Sequence, residues 1–494
     1  MSDAALAGLQ ATALTARCHN VYFRQKQLKS LHDILRKDTA AVKDAIKQDT
    51  HVSDADATIE IALGLAVIKE QHTALDPQKA LKEEYQIAHG EDASDGREPW
   101  GVVYVEPQQS HTPFYSVVVA LSAALAAGNC VALKLENNLR ALPSLLRILL
   151  PKALEPDTFT IVSSDPSPAS LSQCLQVLQE TENKDPTYSQ LVSPKRKVIA
   201  IVDRTADLAA AAECLVTARF AFGGTSPYAP DVVLVNEFVK KDLTEHVLKH
   251  AIRFLASSGA ASNRAPKSPA SSTTSKSTPV ADTLKCLTDS KEWKLSVITR
   301  GDAGAIVELA NTSTLLPKLA QPIFCLAAIT SLEHAISLIE EESDRLLTGY
   351  YFGTPSSGKY LSQFINADAS FVNHIPFRLL LGPAAPTFHL IDVDHRYTMQ
   401  HFTRPSPSLI AHPLSQAGMS KILANKDARK ATAELLDTAK QEIKEKKRSE
   451  RIAIGYFEQG IFIGLGFYGI PILTCVGAGL FFGVRAGLRR WAFV

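Results

Sequence analysis

Short runs rich in valine and isoleucine recur through the first half of the chain, and stretches with helical apolar spacing lie between most of them. Runs this short and this continuously apolar are typical of strands that are buried on both faces of a sheet. Strands that alternate with helices predict an α/β fold built on parallel sheets. The runs are GVVYVEP (101–107), NCVALKLE (129–136), TFTIVSS (158–164), KVIAIVDR (197–204) and DVVLVNE (231–237), and the helical stretches are 114–127, 139–154 and 208–222.

An earlier stretch, residues 30–49, also carries its apolar side chains at helical intervals. Because these side chains fall on roughly one stripe, the spacing predicts one amphipathic helix. The apolar positions are Leu31, Ile34, Leu35, Val42 and Ile46.

Length, charge and cysteine spacing narrow the class of protein. The chain has 494 residues and a formal net charge of +1, so it is long enough for two domains and shows no excess of positive charge for nucleic acid. Its seven cysteines are far apart, without a CxxC pair, which argues against a metal site or a disulfide framework and favours a reducing compartment. Residues 257–279 have little to bury and are predicted to form a disordered insertion.

The C-terminal region predicts a membrane anchor. From Gly460 to Val484 the chain contains no charged residue, and in a helix this stretch spans about 37 Å against a hydrocarbon core of about 30 Å. Basic residues on both sides of it suit the two membrane interfaces. Because the N-terminal residues do not resemble a secretory signal, we expect a single-pass tail anchor with the bulk of the protein facing the cytosol.

Several ordered blocks of the chain resemble aldehyde dehydrogenases. The run PWGVVYVEPQQSHTPF…ALSAALAAGNCVALKLENN (99–138) resembles the opening of that family's cofactor half, and FAFGGTSPYAPDVVLVNEF (220–238) resembles its nucleophile loop. Residues 319–352 resemble a later segment of the cofactor site, and residues 371–410 the end of the catalytic domain. With the terminal anchor added, the chain is most similar to membrane-anchored fatty aldehyde dehydrogenases.

The resemblance implies an architecture of two Rossmann-type domains with parallel sheets, followed by a C-terminal transmembrane helix. Its activity would be the oxidation of a hydrophobic aldehyde to its acid, with NAD or NADP as the hydride acceptor. The expected parts are a cofactor-binding-type domain (1–192), a catalytic-type domain (193–385), a C-terminal arm with a basic juxtamembrane helix (386–451) and the anchor (460–484).

The chemistry of that family needs groups that this chain does not keep at the matching positions. Alignment through residues 229–231 places the nucleophilic cysteine on Pro227, with Ser226 directly before it, and the oxyanion-holding asparagine on His111. The general-base carboxylate falls on about Ser193. A serine hydroxyl needs a positioned base near neutral pH, and a neutral imidazole is such a base. Ser226 and His111 are therefore the predicted catalytic residues.

The cofactor positions are kept only in part. Lys134 falls on the lysine that holds the adenosine ribose and Phe324 on the aromatic residue near the nicotinamide, so these two are the predicted cofactor-binding residues. The ribose-binding acid falls on Pro322, and residues 179–195 lack the family's glycine-containing turn for phosphate, which predicts weak binding of NAD or NADP. Cys325, next to Phe324, is the candidate for a thiol supplied from elsewhere.

Three functions stay open from the sequence. The first is an anchored dehydrogenase of hydrophobic aldehydes. The second is a catalytically silent scaffold that forms a homodimer, or a heterodimer with an active homologue, at the membrane. The third is an ester or thioester hydrolase that uses Ser226 and His111. Saturable nicotinamide binding separates the first from the other two.

Overall fold

The computed structural model describes residues 2–255, 279–289, 293–310, 315–341, 344–406, 416–424, 429–444 and 456–491. Contacts within the chain divide it into two compact units, Met1–Ala411 and His412–Val494. The predicted insertion at 257–279 lies outside the described residues except at Pro279, where a helix begins. The predicted basic segment that precedes the anchor lies partly outside them as well.

Strands alternate with helices along the first unit, as the apolar runs predict. The strands are β1 (Arg97–Pro99), β2 (Val102–Glu106), β3 (Cys130–Lys134), β4 (Phe159–Val162), β5 (Leu175–Leu178), β6 (Gln190–Val192), β7 (Val198–Val202), β8 (Val232–Asn236), β9 (Leu295–Arg300), β10 (Ala305–Leu309), β11 (Ile323–Ile329), β12 (Leu346–Phe352), β13 (Ala367–Val372) and β14 (Thr403–Pro405).

The first sheet is parallel throughout and has the order β4, β3, β2, β5, β6. Successive residues of its central strand point to opposite faces. Val103 and Val105 belong to the large core cluster, whereas Val102 and Tyr104 pack in a smaller cluster on the other face, together with Leu6. Helices cover both faces, which is the arrangement expected of a parallel sheet.

The second sheet has the order β13, β12, β7, β8, β11, β10, β9. Only its edge strand β9 runs antiparallel to its neighbour. Every residue of β7 and β8 is buried, which explains why these strands appear in the sequence as continuous apolar runs. The predicted α/β fold with parallel sheets is confirmed. The predicted domain boundary after residue 192 falls between β6 and β7, and the division into four parts stays a prediction.

The helices of the first unit are α1 (Ser2–Ala13), α2 (Val21–Lys37), α3 (Thr39–Thr50), α4 (Asp54–Thr73), α5 (Pro77–Tyr85), α6 (Pro113–Ala126), α7 (Ala141–Ala153), α8 (Pro168–Leu171), α9 (Leu208–Phe220), α10 (Lys240–Leu255), α11 (Pro279–Asp289), α12 (Leu332–Glu340) and α13 (Pro355–Phe364). In the second unit they are α14 (Gln416–Ala424), α15 (Arg429–Ala439), α16 (Tyr456–Gly464) and α17 (Ile470–Trp491).

The predicted single helix at 30–49 is wrong, because two helices share this stretch. α2 ends at Lys37, α3 begins at Thr39, and Asp38 between them has φ −98° and ψ 19°. Aspartate competes with helical hydrogen bonding and favours helix ends, which accounts for a break at this residue. The predicted stripe survives the break, since four of its members are fully buried in the same core: Leu31, Leu35, Val42 and Ile46.

The predicted anchor is helical over Gly460–Trp491, which is long and apolar enough to cross a membrane by length and composition. A π-helical turn, Leu465–Gly469, joins α16 to α17. The helix continues past the predicted end at Val484 and includes Arg485, Arg489 and Arg490. Its apolar side chains are exposed, as expected of a segment whose solvent is lipid.

Candidate functional site

Residues 220–231, which we call the site loop, connect α9 to β8. Phe222 and Gly223 have positive φ values of 52° and 68° and turn the chain sharply after the helix. Gly224 is also left-handed, and a Cβ atom there would lie 2.6 Å from the backbone of Pro322. Only glycine allows this close approach. The turn and the contact together fix the direction of the residues that follow, Thr225 and Ser226.

His111 lies between β2 and α6 and faces the site loop. Its Nδ1 atom is 2.8 Å from Oγ1 of Thr225, and its Nε2 atom is 2.7 Å from the carbonyl oxygen of Leu380. Burial lowers the pKa of His111 to about 4, so the ring is neutral near pH 7. Because a carbonyl only accepts, Nε2 carries the ring proton and Nδ1 accepts from the Thr225 hydroxyl. The same hydroxyl lies 2.9 Å from the Phe222 carbonyl, its alternative acceptor.

The structure pairs His111 with Thr225, whereas the sequence predicts a pair with Ser226. The Ser226 hydroxyl donates to the Leu380 carbonyl at 2.8 Å, and the side chain is buried. Both nitrogens of His111 have other partners, so Ser226 and His111 share only that carbonyl. Thr225 is the residue that sequence reasoning missed, although it adjoins Ser226 in the loop. A catalytic role of Ser226 stays a prediction.

The predicted cofactor lysine is held by two carboxylates. Nζ of Lys134 lies 2.9 Å from Oε1 of Glu106 and 2.6 Å from Oδ1 of Asp165. The Tyr104 hydroxyl donates to the same Asp165 oxygen at 2.6 Å. Two of the three ammonium donors of Lys134 are thus occupied, and the two adjacent carboxylates would repel a pyrophosphate. This neighbourhood therefore disfavours the phosphates of a dinucleotide.

The other predicted positions lie in well-packed surroundings. Phe324 and Cys325 are both buried on β11 and point into different core clusters, on opposite faces of the sheet. Burial raises the pKa of the Cys325 thiol, which disfavours the reactive thiolate. Ser193 donates to the Ala384 carbonyl at 2.8 Å. Pro322 packs against Gly224.

A cavity of about 350 Å³ opens beside the site loop. Ser110 and Thr112 line it, whereas the buried ring of His111 between them does not. Thr225 and Phe222 line it from the loop, and Pro322 closes one side. Ser226 is not among the lining residues. The cavity lining consists of Thr50, His51, Val52, Glu60, Ser110, Thr112, Phe222, Gly223, Thr225, Val280, Asp302, Gln321 and Pro322.

Glu60 is a carboxyl group of this cavity that sequence reasoning missed. Its Oε1 atom accepts the backbone N–H groups of Phe114 and Tyr115, at 2.8 Å and 3.1 Å, in the first turn of α6. Burial raises the pKa of Glu60 to about 7, against these two hydrogen bonds, which lower it. The positive end of a helix favours a carboxylate, yet burial outweighs it here. The signal in the sequence is one acidic residue within the otherwise apolar stretch 59–68 of α4.

The N-terminal third of the chain is similar in sequence to a known protein family. Residues 2–170 match the sequence model of the aldehyde dehydrogenase family. This chain contains an aldehyde dehydrogenase family domain. The matched range includes His111 and Lys134 but ends before the site loop, so the alignment of Pro227 with the family nucleophile rests on the resemblance of the loop sequence.

Curated relatives of the aldehyde dehydrogenase domain come from the same family. Aldehyde dehydrogenase family 3 member B1 of Mus musculus is 30% identical over 152 residues, which is 30% of this chain and 32% of the relative. The protein of the same name from Homo sapiens is 28% identical over 150 residues, 29% of this chain and 31% of the relative. The match thus spans about a third of the length of these relatives.

Solved structures extend the aldehyde dehydrogenase fold over most of the chain. AldH of Staphylococcus aureus, in a substrate-bound state, has a TM-score of 0.62 and 16% identity, and covers 86% of this chain and 99% of that chain. An NADP-dependent glyceraldehyde-3-phosphate dehydrogenase of Bacillus halodurans, complexed with NADP, has a TM-score of 0.60 and 16% identity, and covers 81% and 89%. At this identity the likeness shows the fold alone.

Proposed function

We propose that this chain is a membrane-anchored aldehyde dehydrogenase-like protein that keeps a ligand cavity but has lost thiol-dependent hydride transfer. Its role is then to bind a hydrophobic ligand or a partner protein at a membrane. The observation that carries the proposal is the sequence of the site loop, whose resemblance to the family's nucleophile loop aligns Pro227 with the cysteine. A proline side chain has no atom that could form a thiohemiacetal with an aldehyde.

The surroundings of the loop support the same proposal. His111, at the position of the oxyanion-holding asparagine, already uses both ring nitrogens with Thr225 and Leu380. Cys325, the thiol closest to the predicted cofactor residue in sequence, is buried in the core cluster on the other face of the sheet from Phe324. Neither His111 nor Cys325 therefore supplies a thiolate that could attack an aldehyde in the cavity.

The ion pairs of Lys134 argue against tight binding of NAD or NADP. To reach a ribose, the ammonium group would have to leave Glu106 and Asp165, and these two carboxylates would then face the dinucleotide unpaired. Breaking the charge-assisted hydrogen bond to Glu106, whose side chain is 12% exposed, costs roughly 1.5–3 kcal/mol. The pair with Asp165, whose side chain is 60% exposed, costs less to break because water screens it. The gain from one new contact to a ribose does not offset that cost.

The helix Gly460–Trp491 supports the membrane part of the proposal. Its length exceeds what a bilayer needs, and its apolar side chains have no core to join in the described residues. A second copy of this chain, or an active homologue, is the proposed protein partner. Light scattering of the detergent-solubilised full chain, alone and mixed with an active family member, measures that association.

The decisive experiment titrates NAD and NADP, each in both redox forms, into the detergent-solubilised full chain by calorimetry. The same preparation is then assayed for NADH formation with hexadecanal. We expect neither saturable binding at millimolar ligand nor NADH. An active family member serves as the positive control, and circular dichroism shows that the chain is folded. Saturable binding together with NADH formation would establish the dehydrogenase instead.

A Pro227→Cys variant tests the loss of the nucleophile separately from the loss of the cofactor site. It returns a thiol to the family position while leaving the cofactor neighbourhood of Lys134 unchanged. If the cofactor site is lost as well as the nucleophile, this variant reacts with iodoacetamide but still forms no NADH.

A further inference from the structure

We propose that Thr225, with His111 as its base, forms an acyl-transfer centre that hydrolyses uncharged acyl esters in the cavity. The proposal rests on the proposed function, because it assigns chemistry to the cavity that would bind the ligand. It also differs from the sequence-based hydrolase hypothesis, in which the nucleophile is Ser226.

Nucleophilic catalysis by a hydroxyl needs a base within hydrogen-bond reach and a third group that orients the base. The Thr225 hydroxyl meets the first need, at 2.8 Å from Nδ1 of His111. The Leu380 carbonyl meets the second, because it accepts from Nε2 at 2.7 Å and holds the tautomer in which Nδ1 is free to accept a proton. The three groups come from three separate parts of the chain.

Thr225 is accessible from the cavity, and its neighbour Ser226 is not. Thr225 is half-buried and lines the cavity, whereas Ser226 is buried and turned toward the Leu380 carbonyl. The cavity volume of about 350 Å³ falls within the range of roughly 300–1,000 Å³ that is typical of small-molecule sites.

Backbone strain is concentrated around the same cavity. Among the described residues, six residues other than glycine have positive φ, and three of them line the cavity: His51, Thr112 and Phe222. Such conformations cost of order 1–3 kcal/mol each and cluster at functional sites. Thr112 directly follows His111, and Phe222 lies three residues before Thr225.

A donor for the developing oxyanion is also present. Thr112 lines the cavity, and its Oγ1 atom accepts the backbone N–H of Gly382 at 2.8 Å. Within the described part of the chain its own hydroxyl proton has no acceptor. That proton is therefore available to a negatively charged oxygen in the cavity.

The lining indicates the substrate class. Val52, Phe222, Val280 and Pro322 offer apolar surface for an acyl chain, while Glu60 and Asp302 would repel a phosphate or a carboxylate. His51 is the single side chain of the lining that could carry positive charge. An ester with an uncharged leaving group and an apolar acyl group of modest size fits this set.

The reaction balances without a redox partner. Oγ1 of Thr225 adds to the ester carbonyl carbon as its proton moves to Nδ1 of His111, and the carbon–oxygen bond to the leaving group breaks. The leaving alcohol takes that proton from His111. Water then adds to the acyl-threonine, again with His111 as the base, and its addition releases the carboxylic acid and restores the Thr225 hydroxyl.

The test measures hydrolysis of p-nitrophenyl butanoate by the full chain in detergent micelles. We expect turnover above that of the heat-denatured protein, and a loss of at least about tenfold in Thr225→Ala. Thr225→Ser should retain activity, because it keeps the hydroxyl. Thr73→Ala, which removes an exposed hydroxyl outside the cavity, is the matched control, and the pH profile should fall as His111 becomes protonated near pH 4.

A second measurement detects the acyl-enzyme in the wild-type chain, so it does not depend on whether a variant folds. The wild-type chain is quenched in acid during turnover, and tandem mass spectrometry of the tryptic peptide 220–240 locates the acyl group. We expect it on Thr225. An adduct on Ser226, activity lost in Ser226→Ala but kept in Thr225→Ala, or no turnover at all would overturn the proposal. NADH formation from hexadecanal would instead overturn the proposed function, so the two failures are distinguishable.

Discussion

Arg219 and Asp231 form an ion pair shielded from solvent, with Nη1 3.7 Å from Oδ1 and side chains 0% and 1% exposed. Arg219 directly precedes the site loop, and Asp231 is the last residue of the loop. Nη2 of Arg219 donates to the Gly224 carbonyl at 2.9 Å, and Asp231 accepts the backbone N–H groups of Val198 and Leu319 at 2.8 and 2.9 Å. The pair therefore ties both ends of the loop to the second sheet.

Removal of one member of this pair should destabilise the chain strongly. Arg219→Met leaves Lys318, whose Nζ lies 3.1 Å from Oδ2, as the remaining cation beside Asp231. It also removes the donors to the buried carbonyl groups of Gly224 and Leu319, and together these losses cost about 3–5 kcal/mol of the free energy of unfolding. Urea unfolding followed by far-ultraviolet circular dichroism measures the change. Lys29→Ala, which breaks an exposed ion pair with Asp33, is the control and should cost less than about 1 kcal/mol. Equal effects of the two variants would contradict the interpretation.

Cys18 and Cys130, 112 positions apart in the sequence, have Sγ atoms at 3.6 Å, and both thiols are free and buried. The hydrogen bond from the Cys130 thiol lowers the pKa of Cys18 and so favours the thiolate at that residue. We expect diamide to oxidise the pair to a disulfide as the sulfurs close to about 2.05 Å, with both thiol hydrogens transferred to diamide.

Peptide mapping after alkylation detects this disulfide as one linked species that contains both cysteines. Cys18→Ser should abolish the species, and Cys174→Ser, which changes another buried cysteine, should leave it in place. Cys130 found linked to any other cysteine would show that the sulfurs do not approach as described.

Glu60 should make the stability of the chain depend on pH. Burial raises its pKa from 4.5 to about 7, so between these values the folded chain keeps a proton that the unfolded chain has lost. The free energy of unfolding therefore falls as pH rises through this window and levels off above it. The predicted fall is on the order of 3 kcal/mol.

Glu60→Gln isolates this effect, because the amide oxygen can still accept the N–H groups of Phe114 and Tyr115 but cannot ionise. The difference in unfolding free energy between wild type and variant, measured by urea titration from about pH 5 to 8, should follow the predicted fall. His111 acts in the opposite sense, since burial lowers its pKa to about 4, but it is common to both proteins and cancels. A difference that does not vary with pH would contradict the prediction.

Charge near the middle of the candidate span Gly460–Trp491 should weaken the association of the chain with membranes. Leu473→Lys and Val476→Lys each add about 2.5–3.5 kcal/mol to the cost of insertion. We expect the double variant to move from the membrane pellet to the supernatant on alkaline carbonate extraction. Leu423→Lys changes an exposed leucine of α14 outside the span and should leave the full chain in the pellet.

Much of the architecture could be predicted because its signals are local. The continuous apolar runs at β2, β3, β7 and β8 mark strands buried on both faces, and this property depends on composition within a few residues. The run at β4 marks an edge strand whose two central residues are half-buried. The apolar segment from Gly460 likewise predicts a helix that could span a bilayer. The break at Asp38 was missed, because one unbroken stripe is compatible with either one helix or two.

The candidate site could be predicted only in part. The sequence by itself determined that a proline, Pro227, stands where the family resemblance places the nucleophilic cysteine, and that hydroxyl groups and His111 stand at the neighbouring positions, since these are matters of residue identity. Only the tertiary structure decided that Nδ1 of His111 meets Thr225, that Leu380 orients the ring, and that Lys134 is held by Glu106 and Asp165. These pairs join residues that are distant in the chain. The positive φ values at Phe222 and Gly223 set the direction of the side chains that follow them in the loop. Neither a contact between distant residues nor a loop dihedral can be deduced from the spacing of residues in the sequence.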